Sequence, residues 1–176
     1  MVMRKIIPLL FSIVLLCASC VREAEFDDNF NTAYNNMGDA LVLGITMAEE
    51  ISQVWYKAIF ENKMPNGRYC SDYNDALKEL FATYKETGKL DSLETLRTNM
   101  QVSVSKLNNP PSSRVECYND FVEIVSDVNT ICRMASMPTG ALFPYRTQLN
   151  ETEQRILKNV DDFKIRYSNL FSFSKM

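Results

Sequence analysis

A chain of 176 residues with 46% hydrophobic and 23% charged side chains has the size and balance of one globular domain, which excludes wholesale disorder. Its formal net charge is −3 and its Lys and Arg are not clustered, so a nucleic-acid role is not expected, because phosphate contacts need concentrated basic side chains. There is no histidine, which removes His-based triads, His metal sites and the usual proton shuttle at neutral pH.

The first residues have the anatomy of an export signal. Arg4 and Lys5 form a short basic region, and Ile6 to Leu16 is apolar apart from Pro8 and Ser12. That run is too short for the 18 or so residues expected of a spanning helix. It ends Leu16-Cys17-Ala18-Ser19-Cys20, and small residues directly before a cysteine resemble a bacterial lipobox. The third residue before Cys20 is Cys17, where Leu is usual. The resemblance implies a signal peptide over 1–19 and lipid attachment at Cys20, with several acyl chains giving stable anchoring. An ordinary secretory signal with a free cysteine nearby is the alternative.

Residues 20–28, from Cys20 through Glu23, Glu25, Asp27 and Asp28, carry an acidic stretch with no periodicity, which reads as a solvated tether. Acidic residues just after the lipidated cysteine also resemble surface-export tags of some Gram-negative lipoproteins. The expected location is therefore the cell envelope, lipid-anchored at the outer membrane, facing either the periplasm or the outside.

The helical domain is expected over 29–171. Its first helix should begin at Asp28 or Asn29 and end near Lys63, before the turn Met64-Pro65-Asn66-Gly67. Phe30, Tyr34, Met37, Leu41, Gly44, Ala48, Ile51, Trp55 and Ala58 recur at steps of three and four, so they form one seam, widened by Val42, Ile45 and Ile59. Small Gly44 and Ala48 should let another helix come close. The rest of the chain reads as cover for this seam. Glu49 and Glu50 are adjacent and diverge by about 100° around a helix, so they make no facing carboxylate dyad.

The second helix should run from an Asp72 cap to Leu107, breaking near Gly88 and restarting at an Asp91–Glu94 capping box. Asn109-Pro110-Pro111 ends it. Ser113 with Glu116 should cap the third helix, whose β-branched residues raise a strand alternative that the spacing of Phe121, Val125, Val128 and Cys132 outweighs. Residues 138–149 read as an apolar loop over the core, and Asn150 with Glu153 as the cap of the fourth helix. Residues 172–176 should fray. The fold class is thus all-α, an up-down four-helix bundle with its second helix broken near Gly88.

Of the cysteines outside the signal, Cys117 and Cys132 share a helix and lie about 22 Å apart, beyond disulfide reach. Any bridge should be Cys70–Cys132, worth about 4 kcal/mol, with three buried free thiols as the equal alternative. There is no phosphate-cradling glycine loop or Gly-x-Ser-x-Gly elbow, and Asp161-Asp162 reads as a solvated pair. No catalytic residue, metal site or cofactor is expected, and the chain is not read as an enzyme.

Three motifs carry a family resemblance. Trp55-Tyr56-Lys57-Ala58-Ile59 resembles a Trp-x-x-Ala-Ile signature, Leu107-Asn108-Asn109-Pro110-Pro111 a Leu-x-Asn-Pro-Pro turn, and Pro138-Thr139-Gly140-Ala141-Leu142 a Pro-x-Gly-x-Leu segment. In this order over about residues 40–170 they resemble a group of small, all-helical bacterial proteins, many exported or membrane-attached. The resemblance implies a helical fold and no particular activity.

Two functions are expected. The first is a lipid-anchored interaction or structural module for an unidentified envelope or surface protein. The second is a carrier of a small apolar or aromatic ligand held between helices, with Trp55, Phe143 and Tyr145 as candidate contacts for ligand or partner.

Overall fold

The computed structural model describes residues 3–171, and side chains from residue 21 onward. The side chains of the expected signal peptide (1–19), that of Cys20 and the expected fraying of 172–176 lie outside what is described. The chain is all-α. Among the described residues there are five α-helices, the second of the expected four being divided in two: α1 (Met3–Phe60), α2 (Tyr73–Glu86), α3 (Lys89–Ser105), α4 (Val115–Ser136) and α5 (Leu142–Arg166). Short 3-10 turns occupy Ser112–Arg114 and Ser168–Phe171.

Each of the other four helices packs against α1. Along it Phe26, Phe30, Ala33, Met37, Ala40, Met47, Ala48, Ile51, Trp55 and Ala58 are buried. Much of this is the expected seam, but Tyr34, Leu41 and Ile45 are only partly covered and Val42 is 68% exposed. At Gly44, α4 comes close to α1. A Cβ there would meet Ile131 Cγ2 at 3.2 Å and Cys132 Sγ at 3.4 Å, closer than most side-chain contacts, so the missing side chain sets the helix spacing.

The acidic stretch corrects the sequence reading. No break separates residues 20–28 from the helix, and they are not a loose tether. Phe26 is buried, Asp27 takes two 2.9 Å hydrogen bonds from Arg114, and Glu23 accepts one from Ser113 at 2.7 Å. Buried aromatic surface and a bidentate charge-assisted contact together outweigh the solvation of four nearby carboxylates.

Helix α1 ends where Asn62 takes a left-handed φ of 51° and the Lys63 N–H bonds back to the Lys57 carbonyl. A small turn follows, closed by an isolated bridge between Lys63 and Tyr69, with Gly67 at φ 82°. Asp72 caps α2 by accepting from the Asn74 N–H at 2.8 Å. The expected interruption is present: α2 stops at Glu86, and Gly88 at φ 70° precedes α3. The restart is at Lys89, not Asp91, because the αL glycine turns the chain and Ser92 bonds back to the Gly88 carbonyl.

Helices α2 and α3 follow one another along α1. Ala76 packs with Ala58, Tyr84 donates to Glu50, and Asn36 donates to the Asn99 carbonyl. Ser113 is no cap for α4; its hydroxyl is committed to Glu23, and the 3-10 turn leads into the helix. Helix α5 begins at Leu142, so most of the expected loop over 138–149 is helix. Pro144 is its third residue, where no intrahelical N–H partner is required, so the proline does not break it. Asn150 is an exposed mid-helix residue.

Midway along α1, Phe30 gathers Phe121 at 4.9 Å, Phe163 at 5.5 Å and Phe171 at 6.0 Å between ring centroids. Mixed stacked and edge-on pairs of this kind add to the area they bury. The described cysteines Cys70, Cys117 and Cys132 are all free and buried, which is the second of the two expected alternatives and not the Cys70–Cys132 bridge. Cys70 packs beside Ala58, whereas Cys132 lies against the Ala40 carbonyl, about 27 Å away along α1 by helical rise. Helix α4 is far shorter than α1, so its C-terminal end does not reach the Cys70 turn.

Candidate functional site

The three aromatic candidates do not line one pocket. Leu142, Tyr145 and Leu149 turn into the core at helical spacing, which leaves Phe143 on the outer side of α5, 64% exposed. Trp55 and Tyr145 are buried, their ring centroids 5.8 Å apart, and Trp55 also stacks on Tyr73 at 6.2 Å. The Tyr145 hydroxyl donates to the carbonyls of Met134 at 3.3 Å and Ala48 at 3.4 Å, and burial pushes its pKa up. These two rings fill the junction of α1, α4 and α5.

Phe143 instead joins residues that the sequence reading did not single out. Tyr56 and Phe60, one turn apart on α1, have ring centroids 4.9 Å apart, and Phe60 meets Phe143 edge-on at 6.1 Å. All three are exposed. The Arg146 guanidinium lies over the Tyr56 ring at 5.9 Å. Ser52, Gln53, Tyr56, Lys57 and Arg146 line a groove of about 360 Å³ beside these rings. The signal that could have found them is an aromatic pair at i and i+4 lying off the buried seam, since a core does not require it there.

The ionisable groups are mostly structural. Glu50 lies between Tyr84 and Lys89; burial alone would raise its pKa, but their hydrogen bonds outweigh burial and hold it below the usual carboxylate value. Burial pushes the thiol of Cys117 up to about 12 and that of Cys132 up to about 11, so both stay protonated and are poor nucleophiles at neutral pH. Glu153 on α5 has one buried carboxylate oxygen with no hydrogen-bond partner, and burial followed by the Glu49 charge raises its pKa. Among the described residues no group of three or more Cys, Asp or Glu is placed to hold a metal ion. Among them, too, no helix is long and apolar enough to cross a membrane.

The resembling motifs fall at three junctions. Trp55 and Ala58 are buried near the end of α1, Leu107 is buried in the turn after α3, and Gly140 takes φ 88° just before α5. Compared with protein-family models, curated proteins and solved structures, the chain has no match in any of the three.

Proposed function

We propose that this protein is a non-catalytic interaction module of the cell envelope, anchored through a lipid on Cys20 and binding another protein through the aromatic patch of Tyr56, Phe60 and Phe143. The observation that carries the reading is the position and exposure of that patch. It lies at the end of α1 remote from Cys20, about 60 Å away by helical rise, and its three rings touch one another without being covered. The residue pairs support an up-down order of four rods. Phe30 meets Phe121 early in α4 and Phe163 late in α5, while α2 and α3 act together as one broken rod.

The lipobox-like sequence supports an outer-membrane location, and the motif set supports kinship with small exported helical proteins. The mutual packing of Trp55, Tyr73 and Tyr145 favours this surface reading over a ligand held in the interior. The test is crosslinking in the native envelope followed by mass spectrometry, with Cys20→Ala and a Phe60→Ser/Phe143→Ser variant as controls. One partner recovered in near-stoichiometric yield and lost in both controls is the expected result. A partner that survives loss of the two rings would overturn the assignment of the patch.

A further inference from the structure

We infer that the occupant of this surface is an acidic peptide segment of a partner protein, with an apolar side chain next to its carboxylate; this rests on the interaction reading above. The argument begins with charge. The whole chain is acidic at −3, yet the groove beside the patch is lined by two cations, Lys57 and Arg146, and by no carboxylate. Neither cation forms an ion pair with the described residues, although most neighbouring charges do: Glu61 is taken by Lys63, Glu50 by Lys89 and Glu79 by Arg68. Lys57 lies in the last turn of α1, where the helix carbonyls favour a cation, but that leaves its ammonium open to solvent.

Arg146 is held differently. Its guanidinium lies over the Tyr56 ring at 5.9 Å, beside the groove, and a guanidinium fork suits a carboxylate bidentately. The aromatic residues supply the second half of the match. Tyr56 and Phe60 meet at 37° and Phe60 and Phe143 at 61°, so the rings form a notch and not a flat platform. A notch receives a side chain; a flat face would suit the stacking of a sugar ring. An aromatic or branched aliphatic residue seated there would put an adjacent acidic residue within reach of Arg146, with Lys57 contributing long-range attraction.

The experiment selects short displayed random peptides against the full chain in detergent, then measures the winners by fluorescence anisotropy. The expected winners place Asp or Glu beside Phe, Leu or Trp. Their Kd should weaken on the order of tenfold or more in a Lys57→Glu/Arg146→Glu variant, and as NaCl rises from about 50 to about 500 mM. Both substituted residues are exposed, and an unchanged circular dichroism spectrum checks that the variant folds.

Winners with no acidic excess, or with equal affinity for the charge-reversed variant, overturn the inference. If those same peptides lose binding to Phe60→Ser/Phe143→Ser, the patch itself still stands as the docking surface. If they bind that variant unchanged, the interaction reading falls as well. An acidic polysaccharide that binds as tightly as the best peptide, or a concentration-dependent dimer abolished by Phe143→Ser, would assign the groove to a different occupant and also overturn the inference.

Discussion

Replacing Phe30 tests whether the aromatic cluster is the main source of cohesion between α1, α4 and α5. The ring is fully buried and contacts Phe26, Tyr34, Phe121, Phe163 and Phe171. A phenyl side chain buries about 150–250 Å², which at about 25 cal/mol per Å² corresponds to roughly 4–6 kcal/mol as an upper bound. Measured Phe→Ala changes in cores run about 3–5 kcal/mol, because neighbours relax only partly into the cavity. Phe30→Ala should therefore lose about 3–5 kcal/mol in urea unfolding followed by circular dichroism, and about 6–20 °C in Tm for a domain of this size. Val42→Ala, on the same helix but 68% exposed, should stay within about 0.5 kcal/mol. The reasoning would be refuted by a loss below about 1.5 kcal/mol for Phe30→Ala, or by similar losses for the two variants.

The Asp27–Arg114 contact, with each side chain only 19% exposed, should make Arg114→Ala cost about 1–3 kcal/mol and speed amide hydrogen exchange over residues 21–28; unchanged exchange there would mean that Phe26 alone holds the segment. Glu153 has a raised pKa in the folded protein, so the folded state binds the proton more tightly than the unfolded one, and stability falls as pH rises from 4.5 through that raised value. Glu153→Gln should thus raise Tm at pH 7 and leave it near wild type at pH 4, and an equal shift at both pH values would point to packing instead. Glu50 has the opposite sign: its depressed pKa stabilises the fold above pH 4.5 and that contribution is lost as pH falls through the folded value, so Glu50→Gln should destabilise at pH 7 and matter progressively less as the medium is acidified below pH 4.5. Cys70, Cys117 and Cys132 should be alkylated only after denaturation, without prior reduction; protection that persists in denaturant until a reductant is added would reveal a bridge.

The seam of α1 was legible because its buried residues recur at helical spacing, and Phe30, Met37, Ala48, Ile51, Trp55 and Ala58 are indeed covered. Phe26, Ala33, Ala40 and Met47 were missed because a helix touched by four others buries more than one stripe. Val42 widens the apolar stripe in sequence yet is 68% exposed, because hydrophobicity alone does not say where the neighbouring helices stand. The start of α5 was hidden by Pro144, which breaks a helix in its interior but not in its first turn. At the site, Phe143 was visible as an apolar residue in an unusual place. Arg146 was not, because a cation gains meaning only once Tyr56, far away in sequence, lies beneath it. The choice between a Cys70–Cys132 bridge and free thiols stays open in the sequence for a related reason: it depends on helix lengths, and spacing alone does not give them.

The gathering of Phe121, Phe163 and Phe171 around Phe30 has a kinetic consequence. The helix on which everything packs is made first, yet the ring at its middle is covered by residues near the far end of the chain. Contacts this distant in sequence require a large loop to close before burial repays the lost entropy, so they form late. A polypeptide emerging N-terminus first would carry an uncovered apolar helix through most of its synthesis or passage. Compaction would wait for its final helix, leaving the chain extended enough to be threaded while also exposing it to aggregation until the last turn arrives.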